Sequence, residues 1–286
     1  MSPPAQVWLQ HLLPKRLLCR TVHGIARSRA GWLKRPLIGW FARHYAIDMS
    51  EAEHASLDAY PTFNAFFTRA LKPDARPLEG GETTVVSPAD GVVTEFGRIR
   101  QGQLVQAKGL DYSLTALLGE TPEAAAPYLD GEFLTIYLAP HNYHRVHAPL
   151  GGELVRTRYL PGRRYGVNAA TAGTIRGLFS RNERVVCSFS TPAGPFAAVL
   201  VGALNVASLS TAALGDIPSG KARTWAHDPP IAVRRGDELG RFNLGSTVVL
   251  VFARGAVEWL PGLRPGEPIR LGRAIGTVRA GATASV

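Results

Sequence analysis

Apolar positions along this chain change their period near residue 83, and the change divides it into a helical part and a β-rich part. In the first third, large apolar residues fall at Trp8, Leu9, Leu12, Leu13, Leu17, Leu18, Val22 and Ile25. They resume at Trp32, Leu33, Leu37, Ile38, Trp40 and Phe41, with Lys and Arg interleaved. This interleaving predicts amphipathic helices. Ser50-Glu51-Ala52-Glu53 reads as a further helix start, and residues 62–67 carry helical apolar spacing. Pro73 and Pro77 then interrupt the chain. Beyond Thr83 come short β-branched runs separated by Gly and Pro, at 84–86, 91–94, 133–138, 183–189, 197–206 and 246–252. Strands at such spacing predict a β-sandwich or barrel. Residues 87–93 and 148–155 share a Pro-x-x-Gly turn leading into a strand, an echo that suggests two related β-halves.

The stretch from Val185 to Gly215 has no charge over 31 residues. Pro192, Gly194 and Pro195 break its first half, and Asn205, Ser208, Ser210 and Thr211 make its second half polar. Buried strands are therefore expected there, not a bilayer span of about 20 apolar residues.

Composition sharpens this picture at one end. Of 286 residues, 45% are hydrophobic and 19% charged, which excludes wholesale disorder. Two cysteines, Cys19 and Cys187, provide no disulfide framework, and a reducing compartment is the simpler expectation. The net charge is +10, and nearly all of it lies at the N-terminus. Residues 1–47 hold Lys15, Arg16, Arg20, Arg27, Arg29, Lys34, Arg35 and Arg43 with no acid, whereas the rest balance to +2. Helices of this composition suit an anionic membrane interface, with Trp at headgroup depth and Lys and Arg on phosphates. A nucleic-acid arm usually has fewer large apolar residues, and Pro14 cuts a signal peptide short. An organellar presequence and plain packing on the protein's own core are the other readings.

Candidate chemistry centres on His141, His144 and His147, which fall between Pro140 and Pro149. Three-residue spacing on a helical turn invites a metal reading. The flanking prolines leave little room for a helix, and an extended chain would turn His144 and His147 to opposite faces. No HExxH and no Cys pair accompanies them. Hydrogen-bonded loop histidines and two histidines with separate catalytic jobs both stay open. Asp90, before Gly91, reads by itself as a turn residue, and Ser246 as an ordinary strand entrance.

Taken together, these residues sit in a familiar order. The matching stretches are 63–69, 87–91, 106–109 with 112–114, 137–140 with 143–147, 159–162 with 167–168, 179–184, 200–203 and 244–247. On them the chain resembles the phosphatidylserine decarboxylase proenzymes of bacterial type, over roughly residues 60–255. Residues 210–237 and 262–286 match little, and 212–225 is expected to be a variable loop.

The resemblance implies self-cleavage between Gly245 and Ser246, giving chains 1–245 and 246–286. It assigns Ser246 as nucleophile, His147 as its base and Asp90 as the group orienting the imidazole. Ser246 would become a covalent pyruvoyl (pyruvate) group, the only cofactor expected. It would form a Schiff base with the amine of phosphatidylserine and yield phosphatidylethanolamine and carbon dioxide. His144 would donate the proton in decarboxylation, and His141 has no role. No metal is expected. Pyridoxal phosphate is rejected, because Lys108 is the sole plausible Schiff-base lysine and belongs to a matched stretch.

The expected fold is α+β, with N-terminal amphipathic helices before a β-rich, sandwich- or barrel-like catalytic body. The expected division is 1–60 for membrane-associating helices and 61–286 for the catalytic domain. The two cleaved chains should stay together as a heterodimer, itself open to dimerisation. No nucleic-acid partner is expected, and the location is peripheral, on the cytoplasmic face of the cell membrane. Two other classes compete: an uncut binding module, and a serine hydrolase that keeps Ser246 intact.

Overall fold

In the computed structural model the residues described are 15–203, 209–243 and 246–279, with side chains described from Thr21 onward. The expectations for Trp8, Leu12 and their neighbours, for the side chains of Lys15 and Arg16, and for Gly245 lie outside these residues. Helix α1 (Lys15–Ala26) and helix α2 (Gly31–His44) form where the helical pattern predicts them. Arg43 and His44 close α2 and complement its dipole.

The short helix α3 (Phe63–Phe67) is capped by Thr62, whose hydroxyl accepts from the Ala65 amide at 3.0 Å. Ala26, Ile38, Phe41, Tyr60, Phe63, Phe66 and Phe67 form a small core of their own. Phe41 meets Phe63 edge to face at 5.1 Å. The helices thus pack on the protein, as the own-core reading expects. They still leave Trp32 81%, Trp40 52% and Ile25 42% exposed.

The helix expected from Ser50 does not form. The Asp48 carboxylate captures the Ser50 amide at 2.8 Å, and residues 51–53 bond instead to 70–72. A side-chain turn followed by tertiary pairing outcompetes local helix propensity here.

Strands β1 (Thr84–Val86) and β2 (Gly91–Arg98) flank the turn that carries Asp90. A hairpin of β3 (Gln103–Ala107) and β4 (Leu110–Ser113) follows, then β5 (Glu132–Leu138), β6 (Arg145–His147) and β7 (Gly152–Leu160). Next are β8 (Arg184–Ser190), β9 (Phe196–Gly202), β10 (Leu209–Thr211), β11 (Gly215–Ile217) and β12 (Arg223–Val233). Last come β13 (Glu238–Phe242), β14 (Ser246–Phe252), β15 (Val257–Trp259), β16 (Pro268–Ile269) and β17 (Ala274–Val278).

The fold is α+β. Its main sheet has eight strands in the order β12-β7-β8-β9-β14-β5-β2-β16, beside sheets β11-β10-β13-β6 and β1-β17-β15. Among the described residues no sheet closes into a barrel. The main sheet ends at β12, an exposed strand whose Pro229 and Pro230 fall where its register shifts, and at the two-residue β16. Proline on an edge strand removes donors that a further strand would need.

The charge-free stretch forms β8, β9 and β10, which are almost wholly buried and so read as apolar runs. Among the described residues no helix is long and apolar enough to cross a membrane. The expected loop over 212–225 is in part structured, since β11 pairs with β10 and β12 begins at Arg223. Its polar, proline-bearing sequence reflects exposure at a sheet edge, not absence of structure.

Candidate active site

Ser246 opens β14, the strand that lies between β9 and β5 and pairs with both along its length. Its register partners are Leu138 and Gly202. The side chain is fully buried, and its Oγ has no hydrogen-bond partner. Thr247, on the opposite face, shares this condition. An unpaired buried hydroxyl costs about 1–3 kcal/mol, so folding alone does not account for a serine here.

Strand β13 runs toward Ser246 and pairs with β6, setting Arg241 against Arg145 and Glu238 against His147. The Phe242 amide donates to the His144 carbonyl at 3.1 Å, so the backbone of His144 lies beside a residue four positions before Ser246. The His144 ring stacks on Phe67 with centroids 4.0 Å apart and is fully buried. Neither ring nitrogen has a hydrogen-bond partner of good geometry. Burial, reinforced by the Arg69 charge and weakly opposed by the Pro140 and Ala139 backbone, pushes its pKa down to about 3. His144 is therefore neutral in this arrangement.

His147 is oriented differently. Its Nδ1 lies 2.8 Å from the Gly236 carbonyl, which can only accept, so Nδ1 carries the proton. Nε2 keeps its lone pair and accepts from the Tyr143 hydroxyl at 3.1 Å. Burial pushes the His147 pKa down, against the Gly236 carbonyl and the Glu238 charge. A neutral imidazole with an unprotonated Nε2 is the state a general base needs, and here the Tyr143 hydroxyl occupies that lone pair.

Asp90 is brought next to this strand but not onto the imidazole. The His147 amide donates to Pro88, in the turn that holds Asp90, at 2.8 Å, and Val86 donates to Pro149 at 2.9 Å. The two echoing turns are thus direct neighbours. The Asp90 carboxylate accepts from Arg76 Nε at 3.0 Å and Nη2 at 2.7 Å, and from the Leu271 amide at 2.8 Å. Arg76 also holds Glu51 at 2.8 Å. Burial works against the Arg76 charge, but its hydrogen bonds to Asp90 and Glu51 outweigh that and raise its pKa. Gly236 and Tyr143 orient the His147 ring, while the Asp90 charge acts on it through space.

Asp90→Asn keeps an acceptor oxygen but leaves Arg76 with Glu51 alone. A loss of about 3 kcal/mol in unfolding free energy is expected, because the Arg76–Asp90 pair is almost wholly buried. The urea midpoint reads this directly, and an unchanged midpoint would show that Arg76 does not depend on Asp90.

A cleft of about 490 Å³ leads toward the same region. Arg29, Thr62, Asn64, Thr68, Arg241 and Asn243 are among its lining residues. Asn64 donates to Asn243 Oδ1 at 2.9 Å, tying α3 to the segment just before Ser246. Neither this cleft nor a second pocket, of about 210 Å³ beside Glu120 and Arg156, is lined by any of the four candidate residues. Only the cleft is lined by Thr68, which follows the Phe67 stacked on His144, and by Asn243, just before Ser246 in the chain. Among the described residues no set of three or more His, Cys, Asp or Glu side chains is placed to hold a metal ion.

Sequence reasoning assigned no role to Arg69, Arg76 or Tyr143. Arg69 and Tyr143 lie within matched stretches and so carried a signal; Arg76 had nothing to single it out among the arginines.

Residues 63–277 match the family model described as phosphatidylserine decarboxylase, and residues 5–46 match one described as PSD. The chain is 47% identical over 281 residues to the phosphatidylserine decarboxylase proenzyme of Idiomarina loihiensis, covering 96% of each chain. It is 49% identical over 279 residues to the proenzyme of that name from Acidovorax ebreus, covering 96% of this chain and 98% of that one. With the Pseudomonas aeruginosa proenzyme the identity is 48% over 272 residues, covering 93% and 94%.

Proposed function

The chain belongs to the phosphatidylserine decarboxylase family, and from that membership we propose that it is a self-cleaving proenzyme that converts phosphatidylserine to phosphatidylethanolamine and carbon dioxide. The observation that carries this reading is the buried, unpartnered hydroxyl of Ser246 at the head of an interior strand. A side chain consumed by chemistry has no need of a lasting hydrogen bond.

In processing, Ser246 Oγ attacks the Gly245 carbonyl carbon and His147 Nε2 takes the hydroxyl proton. The C–N bond breaks, the nitrogen gains that proton, and an ester replaces the amide. Loss of the Cα proton of residue 246 then expels residues 1–245 as a carboxylate. The resulting dehydroalanine takes up water and loses ammonia, leaving a pyruvoyl group at the new N-terminus. The residues present fit such a group, since it derives from Ser246 and needs no binding loop or lysine. Its ketone supplies an electron sink for the electrons left on the substrate when carbon dioxide departs. Phe67 excludes water from one face of His144, the donor of a proton to the substrate carbon that loses carbon dioxide; neutral in the resting arrangement, His144 first takes up that proton.

Processed protein incubated with phosphatidylserine vesicles should form carbon dioxide and phosphatidylethanolamine in equal amounts. Cleaved, folded protein that forms neither overturns the decarboxylase reading.

The proposed location is peripheral, on the cytoplasmic face of the cell membrane. Exposed Ile25, Trp32 and Trp40 support it, alongside the exposed cations Arg29, Arg35 and Arg43. Trp32→Ser combined with Trp40→Ser should weaken co-sedimentation with phosphatidylglycerol vesicles at least ~10-fold. Undiminished binding would rule out these side chains as the anchor.

A further inference from the structure

Among the described residues, Arg69 is a buried charge without an ion-pair partner. It closes the segment that begins with α3, it is only 6% exposed, and its Nε is buried without a hydrogen bond. Among the described residues no carboxylate, carbonyl or hydroxyl pairs with its guanidinium; its contact is the Phe66 ring, 5.7 Å from Cζ. The comparably buried arginines are satisfied. Arg76 holds Asp90 and Glu51, and Arg184 donates to the carbonyls of Ala116, Leu117 and Asn182. A buried guanidinium without an acceptor is costly and calls for an anion supplied from outside the chain.

Its surroundings say where that anion would sit. Phe67, two residues earlier, stacks on His144, and the carbonyl of Thr68 accepts from Arg145 at 2.9 Å. Arg69 therefore lies against the segment that carries His144, and its charge is felt there. Thr68, its neighbour, lines the 490 Å³ cleft that Arg29 and Arg241 also line.

Resting on the decarboxylase reading, we propose that Arg69 binds the phosphodiester of the phospholipid substrate beside His144. The substrate's carboxylate is the poorer candidate. It leaves as neutral carbon dioxide, so a guanidinium clamped on it would stabilise the ground state more than the transition state. The phosphodiester keeps its charge from substrate to product, and the planar fork of Arg suits its two free oxygens. A short serine linker separates phosphate from amine, so a cation close to His144 is within its reach.

The test compares wild-type protein with Arg69→Gln, using binding of dihexanoyl phosphatidylglycerol below its micellar concentration. This probe has a phosphodiester but neither amine nor carboxylate. Self-cleavage of Arg69→Gln to the same two chains shows that the variant folds. Binding should weaken about 100-fold, and KM for dihexanoyl phosphatidylserine should rise far more than kcat falls. Equal binding by both proteins, or no binding by the wild type, overturns the proposal. Should Arg69→Gln fail to self-cleave, Arg69→Lys retains the charge without the fork; it should bind the probe less tightly, and unchanged binding counts against the proposal. A wild-type protein that binds the probe through Arg69 yet does not decarboxylate phosphatidylserine would sink the decarboxylase reading alone.

Discussion

Ser246→Ala should yield one uncut chain of 286 residues and no decarboxylation, whereas the native sequence should yield residues 1–245 and a blocked 41-residue chain. Intact mass under denaturing conditions reads both outcomes at once, including the ketone-bearing terminus that distinguishes pyruvoyl from serine. The effect is all or none because the hydroxyl oxygen is both the attacking atom and the one lost on elimination. Under native conditions the two pieces should stay together. Strand β14 is buried at every residue and hydrogen-bonded on both sides, to β5 and β9. Relative to the uncut native chain the variant should be more stable, by about 1–3 kcal/mol, because it no longer buries an unpaired hydroxyl. A native chain that stays whole while folded would return the uncut binding module to first place. A cleaved chain with a free serine amine would count against the pyruvoyl route.

His147→Asn should slow processing by roughly 10²- to 10⁴-fold, the usual contribution of a general base. The Asn side chain can still donate to Gly236, so the local backbone should hold, and a time course of cleavage isolates the chemical loss. The pH dependence gives a second reading. His147 must be neutral to accept the Ser246 proton, and burial holds its pKa below the ordinary 6.5. Wild-type processing should therefore be level at neutral pH, then fall about tenfold per pH unit once the pH drops below that lowered value. The Asn variant should lose this acid limb. A wild-type profile still rising steeply above pH 7 would exclude His147 as the base.

The order of the candidate residues was legible in the sequence, but most of their partners were not. His144 and His147 stood out by spacing, and Asp90 and Ser246 only through the matched stretches around them. Arg76 was invisible because its meaning depends on Asp90, Glu51 and the Leu271 amide, contributed by segments far apart in the chain. Asp90 was expected to orient the imidazole, yet Gly236 and Tyr143 hold that ring. The expected helix at Ser50 and the expected loop at 212–225 were misread for a related reason. Both segments find their backbone partners across the fold, where local propensity has no say.

By itself the sequence determined the division into basic helices and a β-rich body, because apolar period and charge are local properties that each segment carries with it. It also determined that the uncharged stretch from Val185 forms buried strands, since prolines and polar residues rule out a span. Only the tertiary structure decided which strands lie inside the main sheet. It also decided that His144 is stacked with its ring nitrogens unpartnered, and that among the described residues no acid forms an ion pair with Arg69. Those facts follow from register between distant strands and from burial. Register and burial set each side chain's neighbours, and neighbours set its hydrogen bonds and charge state.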